Sequence, residues 1–371
     1  MDRFTAIGRL EEARSGRSGG CLRGVRTRFL NGLLTGLLSI FVGVLPGCED
    51  DFEPRSVVNS LRLLGIQADK PLPRAGDTVS MKLLWHDGAS PPDAPRAVQS
   101  LWLAGCFNPK GDLYYECFEQ IAKRFRDMGT SPSPDLGGLV GTGDTFSLKI
   151  PDDLISARPQ AMGREPYGLS YVFVALCAGK LSLAKDFSGQ SGNDSQAGSD
   201  GASTVLRSPL ECQDEQGTPL TSRDFVFSYF RLYSYEEHTN QNPVLVGLEI
   251  DGVLVDETQT PTYPVCPEKD RDKCPVRKLR VVVDPVSVEV DTRSSGKNGA
   301  VLQEQIWVEY LATGGKIDSP LRLINDAVAG FNNDNGTDFT APSTPGKHYI
   351  FAVVRDNRGG QTWIKQPLMF E

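Results

Sequence analysis

Six cysteines in the interior of the chain are the residues whose type and spacing most clearly allow chemistry. The sequence has 371 residues and 8 cysteines, and apart from Cys21 and Cys48 they form an even set. In an exported chain such a set predicts disulfides, although sequence alone leaves the connectivity open. Pairing of sequence neighbours would join Cys106 with Cys117, Cys177 with Cys212 and Cys266 with Cys274.

Zinc is the alternative partner for these thiols. The chain contains no Cys-x-x-Cys pair, and its 3 histidines, which are His86, His238 and His348, lie far from the cysteines in sequence. Structural zinc sites normally draw their ligands from closely spaced pairs. The sequence therefore favours disulfides, and we expect no metal-binding cysteine cluster.

The same histidines limit the catalytic chemistry that the chain could perform. After Cys48 there is no Gly-x-Ser-x-Gly elbow, no phosphate-binding glycine loop and no His-Glu-x-x-His motif. His86 follows a predicted strand, His238 lies in a polar hinge and His348 lies within a strand. The adjacent carboxylates Asp152-Asp153 and Glu236-Glu237 would point to opposite faces of a strand, unlike a glycosidase pair. We therefore predict no catalytic residues, no cofactor and a protein that is not an enzyme.

Two further sets of side chains could bind ligands. The segment from Asn332 to Asp338 offers oxygen ligands for calcium, chiefly on Asp334, Asn335 and Asp338, but it lacks the distal Glu of an EF-hand. The alternative is an Asn/Gly hairpin turn. The second set could form a sugar-stacking platform, although its members lie in strand-like runs where aromatic rings usually fill the core; these residues are Trp85, Trp102, Trp307 and Trp363.

The N-terminal segment indicates where the chain is located. Arg23, Arg26 and Arg28 precede an apolar run from Phe29 to Val44, which is shorter than the roughly 20 residues of a membrane-spanning helix. The run closes with Leu45-Pro46-Gly47-Cys48, which resembles a bacterial lipobox, apart from Pro46. The resemblance implies a signal peptide over residues 1–47 and a diacylglycerol anchor with further acylation on Cys48. An ordinary signal peptide that happens to hold a cysteine is the alternative.

Charged residues bear on where translation begins, on the class of partner and on which membrane holds the anchor. Acidic residues within 1–22 are unlike a signal n-region, so we expect translation to begin near Leu22 or Val25. Removal of residues 1–47 takes away 7 arginines and 3 acidic residues and changes the formal net charge from −8 to −12. This balance argues against a nucleic-acid partner. Glu49 differs from the Asp that retains some lipoproteins at the inner membrane, so the resemblance implies the outer membrane.

Strand and turn signals predict the organisation of the mature chain. After a lipidated tether at 48–56, we expect a first β-sandwich at 57–239 and a second, immunoglobulin-like one at 240–371, with the hinge at Asn240 to Pro243. Residues 188–203 consist almost wholly of Gly, Ser, Asp, Asn, Gln and Ala, which predicts a flexible insertion. In the second domain the strand-like runs include Leu279 to Val283 and Val286 to Val290.

The C-terminal segment is the best-patterned part of the chain. Thr344-Pro345-Gly346 leads into the run Lys347 to Val354, and an Asp-Asn-Arg-Gly-Gly turn leads into the closing run Gln361 to Ile364. This pattern resembles the terminal hairpin of bacterial immunoglobulin-like and polycystic-kidney-disease-type domains. We expect Gly359 and Gly360 to supply positive φ in the turn and Tyr349 to fill a core or corner position.

These observations together predict an all-β protein that works by binding. The layout of lipobox, acidic tether and paired sandwiches resembles lipoproteins of predatory and social bacteria, a resemblance that implies no activity. The first hypothesis is a cell-envelope lipoprotein that serves as a non-catalytic binding or scaffolding component with an envelope protein as partner. The second hypothesis is a carbohydrate-binding or carbohydrate-processing envelope protein.

Overall fold

The computed structural model describes residues 54–91, 94–121, 138–160, 163–183, 209–267, 273–296 and 299–371. The predicted signal peptide at 1–47, the lipidation site Cys48 and the insertion at 188–203 lie outside these residues. Residues 52–371 form one compact unit, so the predicted division at 239/240 stays a prediction. In the described part of the chain, no helix has the length and apolar character needed to cross a membrane.

The fold is all-β, as the sequence predicted. In the N-terminal half, nine strands are described, with 3₁₀ turns at Lys110–Asp112 and Tyr114–Glu116 and helical residues at 117–121. The strands are β1 (Leu61–Ala68), β2 (Thr78–Asp87), β3 (Gln99–Phe107), β4 (Val140–Thr142), β5 (Thr145–Lys149), β6 (Gly168–Cys177), β7 (Lys180–Leu183), β8 (Leu210–Gln213) and β9 (Phe225–Ser234).

Two of the sheets in this half face each other across an apolar core. One has the order β1-β2-β5 and the other β4-β3-β6-β9, while β7 and β8 form a separate pair. Alternate residues of β2, including Val79 and Met81, point inward and meet Trp102 and Val174 from the second sheet. This period of two is the pattern expected of a strand with one buried face.

Strand β6 departs from that alternation because both of its faces are covered. All ten of its residues are buried. One face lies in the sandwich core, and the other contacts a second cluster that includes Phe118, Ile121 and Leu210. The Cys106–Cys117 disulfide fixes the residue that directly precedes Phe118. Continuous hydrophobicity in this strand therefore reflects two covered faces.

Thirteen further strands are described in the C-terminal half, with a 3₁₀ turn at Pro285–Ser287. They are β10 (Leu245–Ile250), β11 (Val253–Val255), β12 (Thr262–Tyr263), β13 (Val276–Val283), β14 (Val290–Ser295), β15 (Val301–Gln303), β16 (Ile306–Ala312), β17 (Lys316–Ile317), β18 (Leu321–Asp326), β19 (Gly330–Phe331), β20 (Thr337–Thr340), β21 (Gly346–Asp356) and β22 (Gln361–Phe370).

These strands build the second pair of facing sheets. Their orders are β11-β10-β13-β20-β17 and β12-β22-β21-β16-β18-β19, with β14 and β15 as a separate hairpin. Tyr310 of β16 crosses the core between them. Its hydroxyl accepts a hydrogen bond from the Val281 amide at 2.8 Å and donates to the Asn335 carbonyl at 3.1 Å. The buried phenol, with a hydrogen bond on each side, therefore joins the two sheets. Burial raises the pKa of Tyr310.

Two local predictions in this half are wrong in informative ways. The run Val286 to Val290 is not one strand, because Asp284 accepts from the Val286 amide and Pro285 begins a 3₁₀ turn; β14 starts only at Val290. Gly359 does have a positive φ of 100°, but Gly360 is not among the residues with positive φ. Gly360 is needed for space instead, since a Cβ there would lie 2.9 Å from the Gln241 carbonyl oxygen.

Candidate functional site

The two pairs of sheets meet along one face of the β21–β22 hairpin. Phe351 and Val353 of β21 are fully buried and pack against Val58, Leu64 and Leu84 from the N-terminal half. The opposite face of the same hairpin belongs to the C-terminal core, with Ile350 and Ala352 as members. We call the contact around Phe351 and Val353 the junction.

Charged side chains at the junction are paired. Glu309 of β16 accepts hydrogen bonds from Arg55 and from Arg355, each at 2.8 Å. Arg355 also donates to the Leu64 carbonyl of β1 at 2.7 Å. One guanidinium thus binds groups from both halves of the molecule. The junction therefore combines apolar packing with hydrogen bonds that hold the two halves in one alignment.

Backbone pairing adds to the junction at the start of the described chain. The amide of Val58 donates to the Ala312 carbonyl, and the amide of Ala312 donates to the Ser56 carbonyl, each at 2.8 Å. Residues 56–58 therefore lie beside β16 of the C-terminal half before the chain enters β1 of the N-terminal half.

The predicted hinge at Asn240 to Pro243 is held by side-chain hydrogen bonds. Asn242 donates to the Ala68 carbonyl at 2.7 Å and accepts from the Gln361 amide at 2.8 Å. Asn240 donates to the Asp356 carboxylate at 3.0 Å. Each asparagine thus ties the connecting segment to the β21–β22 turn or to β1.

A buried carboxyl lies next to this hinge. Glu304 is fully buried, and its Oε2 has no hydrogen-bond partner, although the Arg358 guanidinium lies at 3.4 Å. Burial and the neighbouring Asp356 charge raise the pKa of Glu304 to about 8, against the opposing effect of Arg358. Burial also raises the pKa of Asp356. The ionised form of the Glu304 carboxyl is therefore costly in the folded protein.

The candidate site is a cleft of about 610 Å³ where the junction opens to solvent. The N-terminal half contributes the end of β2 and the segment after it, including Trp85 and His86, and the C-terminal half contributes Lys347 and Tyr349 of β21 and Lys365 of β22. Strand alternation places Lys347, Tyr349 and Phe351 on one face of β21, and Lys365 lies opposite Phe351 in the register. The cleft is therefore the open end of the junction face.

Cationic groups surround the tyrosine in the cleft. The ammonium of Lys365 lies 4.8 Å and that of Lys347 lies 5.4 Å from the centre of the Tyr349 ring. The ring of His86 lies 5.2 Å from the Tyr349 ring. Burial and, to a smaller degree, the Lys365 charge lower the pKa of His86 to about 4. His86 is thus neutral near pH 7, and the positive charge beside Tyr349 comes from the two lysines.

The other charged groups of the cleft form contacts away from the two lysines. Arg96 binds Asp87 through Nε at 2.8 Å and Nη2 at 2.9 Å and binds Asp224 at 2.7 Å. The Asp144 carboxylate accepts from the Trp85 indole at 2.8 Å. In the described part of the chain, by contrast, neither Lys347 nor Lys365 forms an ion pair with a carboxylate. The cleft therefore presents two unneutralised ammonium groups beside aromatic rings.

The structure confirms the predicted disulfides. The pairs are Cys106–Cys117, Cys177–Cys212 and Cys266–Cys274, separated by 11, 35 and 8 residues. Each joins sequence neighbours, one of the connectivities that the sequence left open. No disulfide cysteine lines the cleft, and Cys266–Cys274 lines another surface cavity together with Thr313 and His348.

The histidines and adjacent carboxylates that were weighed for hydrolytic chemistry do not form one cluster in the described residues. His238 lies 2.6 Å from Glu165, and His348 lies 3.2 Å from the Thr344 carbonyl oxygen. His86 and His348 both line the cleft. The carboxylates of Asp152-Asp153 and Glu236-Glu237 are exposed.

The tryptophans do not form one platform. Trp102 is fully buried and stacks on Phe146, and its indole donates to the Gly143 carbonyl at 2.8 Å. Trp85, Trp307 and Trp363 are only partly buried. Trp85 lines the cleft, whereas Trp363 packs at the junction beneath the Lys82 ammonium.

The calcium candidate is an Asn-rich turn in which cations of the chain itself approach the carboxylates. Arg322 donates to the Asp334 carbonyl at 2.8 Å, and Lys278 lies 2.6 Å from Asp338. Asn335 is buried, and its Oδ1 has no hydrogen-bond partner. Within the described residues, no group of three or more His, Cys, Asp or Glu side chains could hold a metal ion. The calcium site stays a prediction.

Sequence reasoning missed the lysines of the cleft. It placed Tyr349 in a core or corner position, whereas the side chain is half-buried between the junction and the cleft. The alternation of Lys347, Tyr349 and Phe351 was the available sequence signal, because it places a charged, an aromatic and an apolar side chain on the same face of one strand. Alternation alone does not show that a second pair of sheets covers only part of that face.

No family model and no curated protein matches the chain. Among solved structures, dimeric latent PorU from Porphyromonas gingivalis is 9% identical, with a TM-score of 0.18 over 85% of this chain and 24% of that one. A bacterial ice-binding adhesin is 8% identical, with a TM-score of 0.18 over 84% of this chain and 65% of that one. The chain thus spans less than two thirds of either protein, and similarity at this level carries no functional argument.

Proposed function

We propose that the protein is a lipid-anchored component of the bacterial cell envelope, at the outer membrane, that binds or scaffolds an envelope protein. The observation that carries the proposal is the arginine-flanked apolar run ending in Leu45-Pro46-Gly47-Cys48. Export agrees with the three disulfides, because such bonds persist in oxidising compartments. A membrane anchor built from several acyl chains on Cys48 would hold the protein far more firmly than one chain.

The junction supports a scaffolding role. Apolar packing around Phe351, the Arg355 contacts and the asparagine contacts of the hinge hold the two halves in one arrangement. A scaffold benefits from such fixed geometry, because a rigid binding surface avoids the entropic cost of ordering on association. Residues 55–58 enter at this same junction.

In-cell crosslinking followed by detergent pull-down tests the proposal, with the Cys48→Ser variant as the mislocalised control. We expect one discrete envelope protein to be recovered with the native chain and lost with the variant. Palmitate labelling of the native chain, absent from the variant, would establish the anchor. Soluble, unlabelled native protein would overturn the anchoring, and recovery of no protein partner would overturn the scaffolding.

Carbohydrate binding is the second candidate function, and one observation favours it. The cleft places Trp85 and Tyr349 beside the hydroxyls of Ser90 and Thr313. Aromatic rings with convergent polar groups in a concave site are the usual composition of small-ligand pockets. Direct titration with oligosaccharides tests this candidate independently of the lipid anchor.

A further inference from the structure

From the charges and rings of the cleft, we infer that this site binds an acidic saccharide, whose carboxylate or sulfate lies between Lys347 and Lys365. The inference rests on the carbohydrate-binding candidate, for which it supplies the site and the ligand class. It goes beyond the scaffolding role and does not require the lipid anchor.

The first step of the argument is the charge of the two lysines. Both are exposed, both lie over the Tyr349 ring, and in the described residues neither is neutralised by a carboxylate. Because both ammonium groups lie within 5.4 Å of the centre of one ring, an anion beside that ring is attracted by both. The chain as a whole carries a formal charge of −8, so this local positive charge opposes the overall balance.

The second step is that neither lysine is already held by a carboxylate of the described residues. Asp87 is paired with Arg96 and accepts from Ser90, and Asp144, which keeps its negative charge, accepts a hydrogen bond from the Trp85 indole. His86, the remaining titratable neighbour of Tyr349, adds no charge near neutral pH because burial keeps it deprotonated. An incoming acid group therefore meets the two ammonium groups without displacing an existing ion pair.

The third step concerns the rest of the ligand. A cleft of about 610 Å³ is much larger than an inorganic anion requires and falls within the usual size range of organic ligand sites. Its walls combine the Trp85 and Tyr349 rings with the Ser90 and Thr313 hydroxyls. A sugar ring suits such walls, because it offers C–H groups to aromatic faces and hydroxyls to polar groups.

The fixed shape of the site is the last step. Phe351 and Val353 are buried immediately beside the cleft on the same strand face. The backbone that carries Lys347 and Tyr349 is paired on β21 with β22 along its length. The cleft is therefore formed before the ligand arrives, which limits the ordering cost of binding.

Isothermal titration of the full chain in detergent tests the inference. The probes are an oligogalacturonate, a sulfated oligosaccharide, neutral maltohexaose and inorganic phosphate. We expect at least one acidic oligosaccharide to bind, with an affinity that falls as salt rises, and maltohexaose and phosphate to bind much more weakly. The variant Lys347→Gln/Lys365→Gln should lose about tenfold or more in affinity for the acidic probe.

The matched control is Lys110→Gln/Lys180→Gln, which removes two exposed lysines outside the cleft. It should retain native affinity, and thermal melting should show that both double variants fold. Equal binding of maltohexaose would overturn the acidic class while leaving carbohydrate binding intact. Phosphate binding as tight as the oligosaccharides would overturn the saccharide. Binding of none of the four probes would overturn both this inference and the carbohydrate candidate, but not the anchored scaffold.

Discussion

One face of the β21–β22 hairpin has two different environments along its length. At Phe351 and Val353 the N-terminal half covers it completely, whereas at Lys347 and Lys365 the cover ends and the face lines an open cleft. Between them lies Tyr349, which contacts both environments. The difference teaches that one strand surface can serve as an interior contact and as a binding wall, depending on where the opposing sheet stops.

The largest effect should come from removing the apolar part of that face. Phe351→Ala takes a fully buried ring from the junction and should lower the free energy of unfolding by about 3–5 kcal/mol. Tyr349→Ala, two residues away, should cost about 1–2 kcal/mol because its ring is partly solvated. Urea denaturation measures both, and equal losses would show that the junction does not end between these residues.

The closed interior and the open cleft should also differ in how pH changes stability, because burial penalises an ionised carboxyl. Burial raises the pKa of Glu304 from 4.5 to about 8, so the folded state retains a proton that the unfolded chain has released. Stability should therefore fall as pH rises from about 5 to about 8, by an amount on the order of 4 kcal/mol, because each pH unit in this interval is worth about 1.4 kcal/mol.

Glu304→Gln preserves the shape of that side chain and removes its titration. Melting curves of the variant across the same pH range should lose most of this slope, whereas Lys110→Gln, at an exposed lysine outside the cleft, should leave it unchanged. A native-like slope in the Glu304 variant would assign the pH dependence to another group.

Glu309 has one partly buried arginine partner and one exposed arginine partner, so the contributions of the two ion pairs to stability can be compared. Glu309→Gln leaves the partly buried Arg355 without its carboxylate and should cost about 1–3 kcal/mol. Arg55→Ala removes the other partner, whose side chain is 71% exposed, and should cost less than about 1 kcal/mol. Urea midpoints of the two variants decide this, and a larger loss for Arg55→Ala would mean that the N-terminal contact dominates.

The smaller of the two pH effects lies at His86, whose ring contacts both Tyr349 and Phe351. Its pKa is lowered from 6.5 to about 4, so the unfolded chain takes up a proton in this interval that the folded chain does not. Stability should fall as pH drops from about 6.5 to about 4, by roughly 1 kcal/mol after solvent screening. His86→Gln should flatten that decline in thermal melts. An unchanged pH profile would show that the His86 ring is not buried at the edge of the junction.

Parts of this structure follow from the sequence for physical reasons. The all-β fold and β13 were predictable because alternating runs separated by turn residues have few other solutions. The disulfides were predictable because compartment and short separations agree. The run Val286 to Val290 failed because Pro285 and the Asp284 cap favour a 3₁₀ turn over pairing, which strand propensity does not report.

The cleft was beyond sequence reasoning for a different reason. Its lysines and His86 are far apart in sequence, on β21, β22 and β2, and their meeting depends on how two pairs of sheets dock. Gly360 shows the same limit on a smaller scale. Its type suggests positive φ, but close approach of the Gln241 carbonyl is what requires glycine there.

The place where the described chain begins has a mechanical consequence. Ser56 and Val58 bond to Ala312, and Arg55 binds Glu309, before the chain enters β1. A pull applied through the segment that precedes Pro54 would therefore load β16 of the C-terminal half and β1 of the N-terminal half together. The bonds of residues 55–58 to β16 would therefore carry the load before β1 separates from β2.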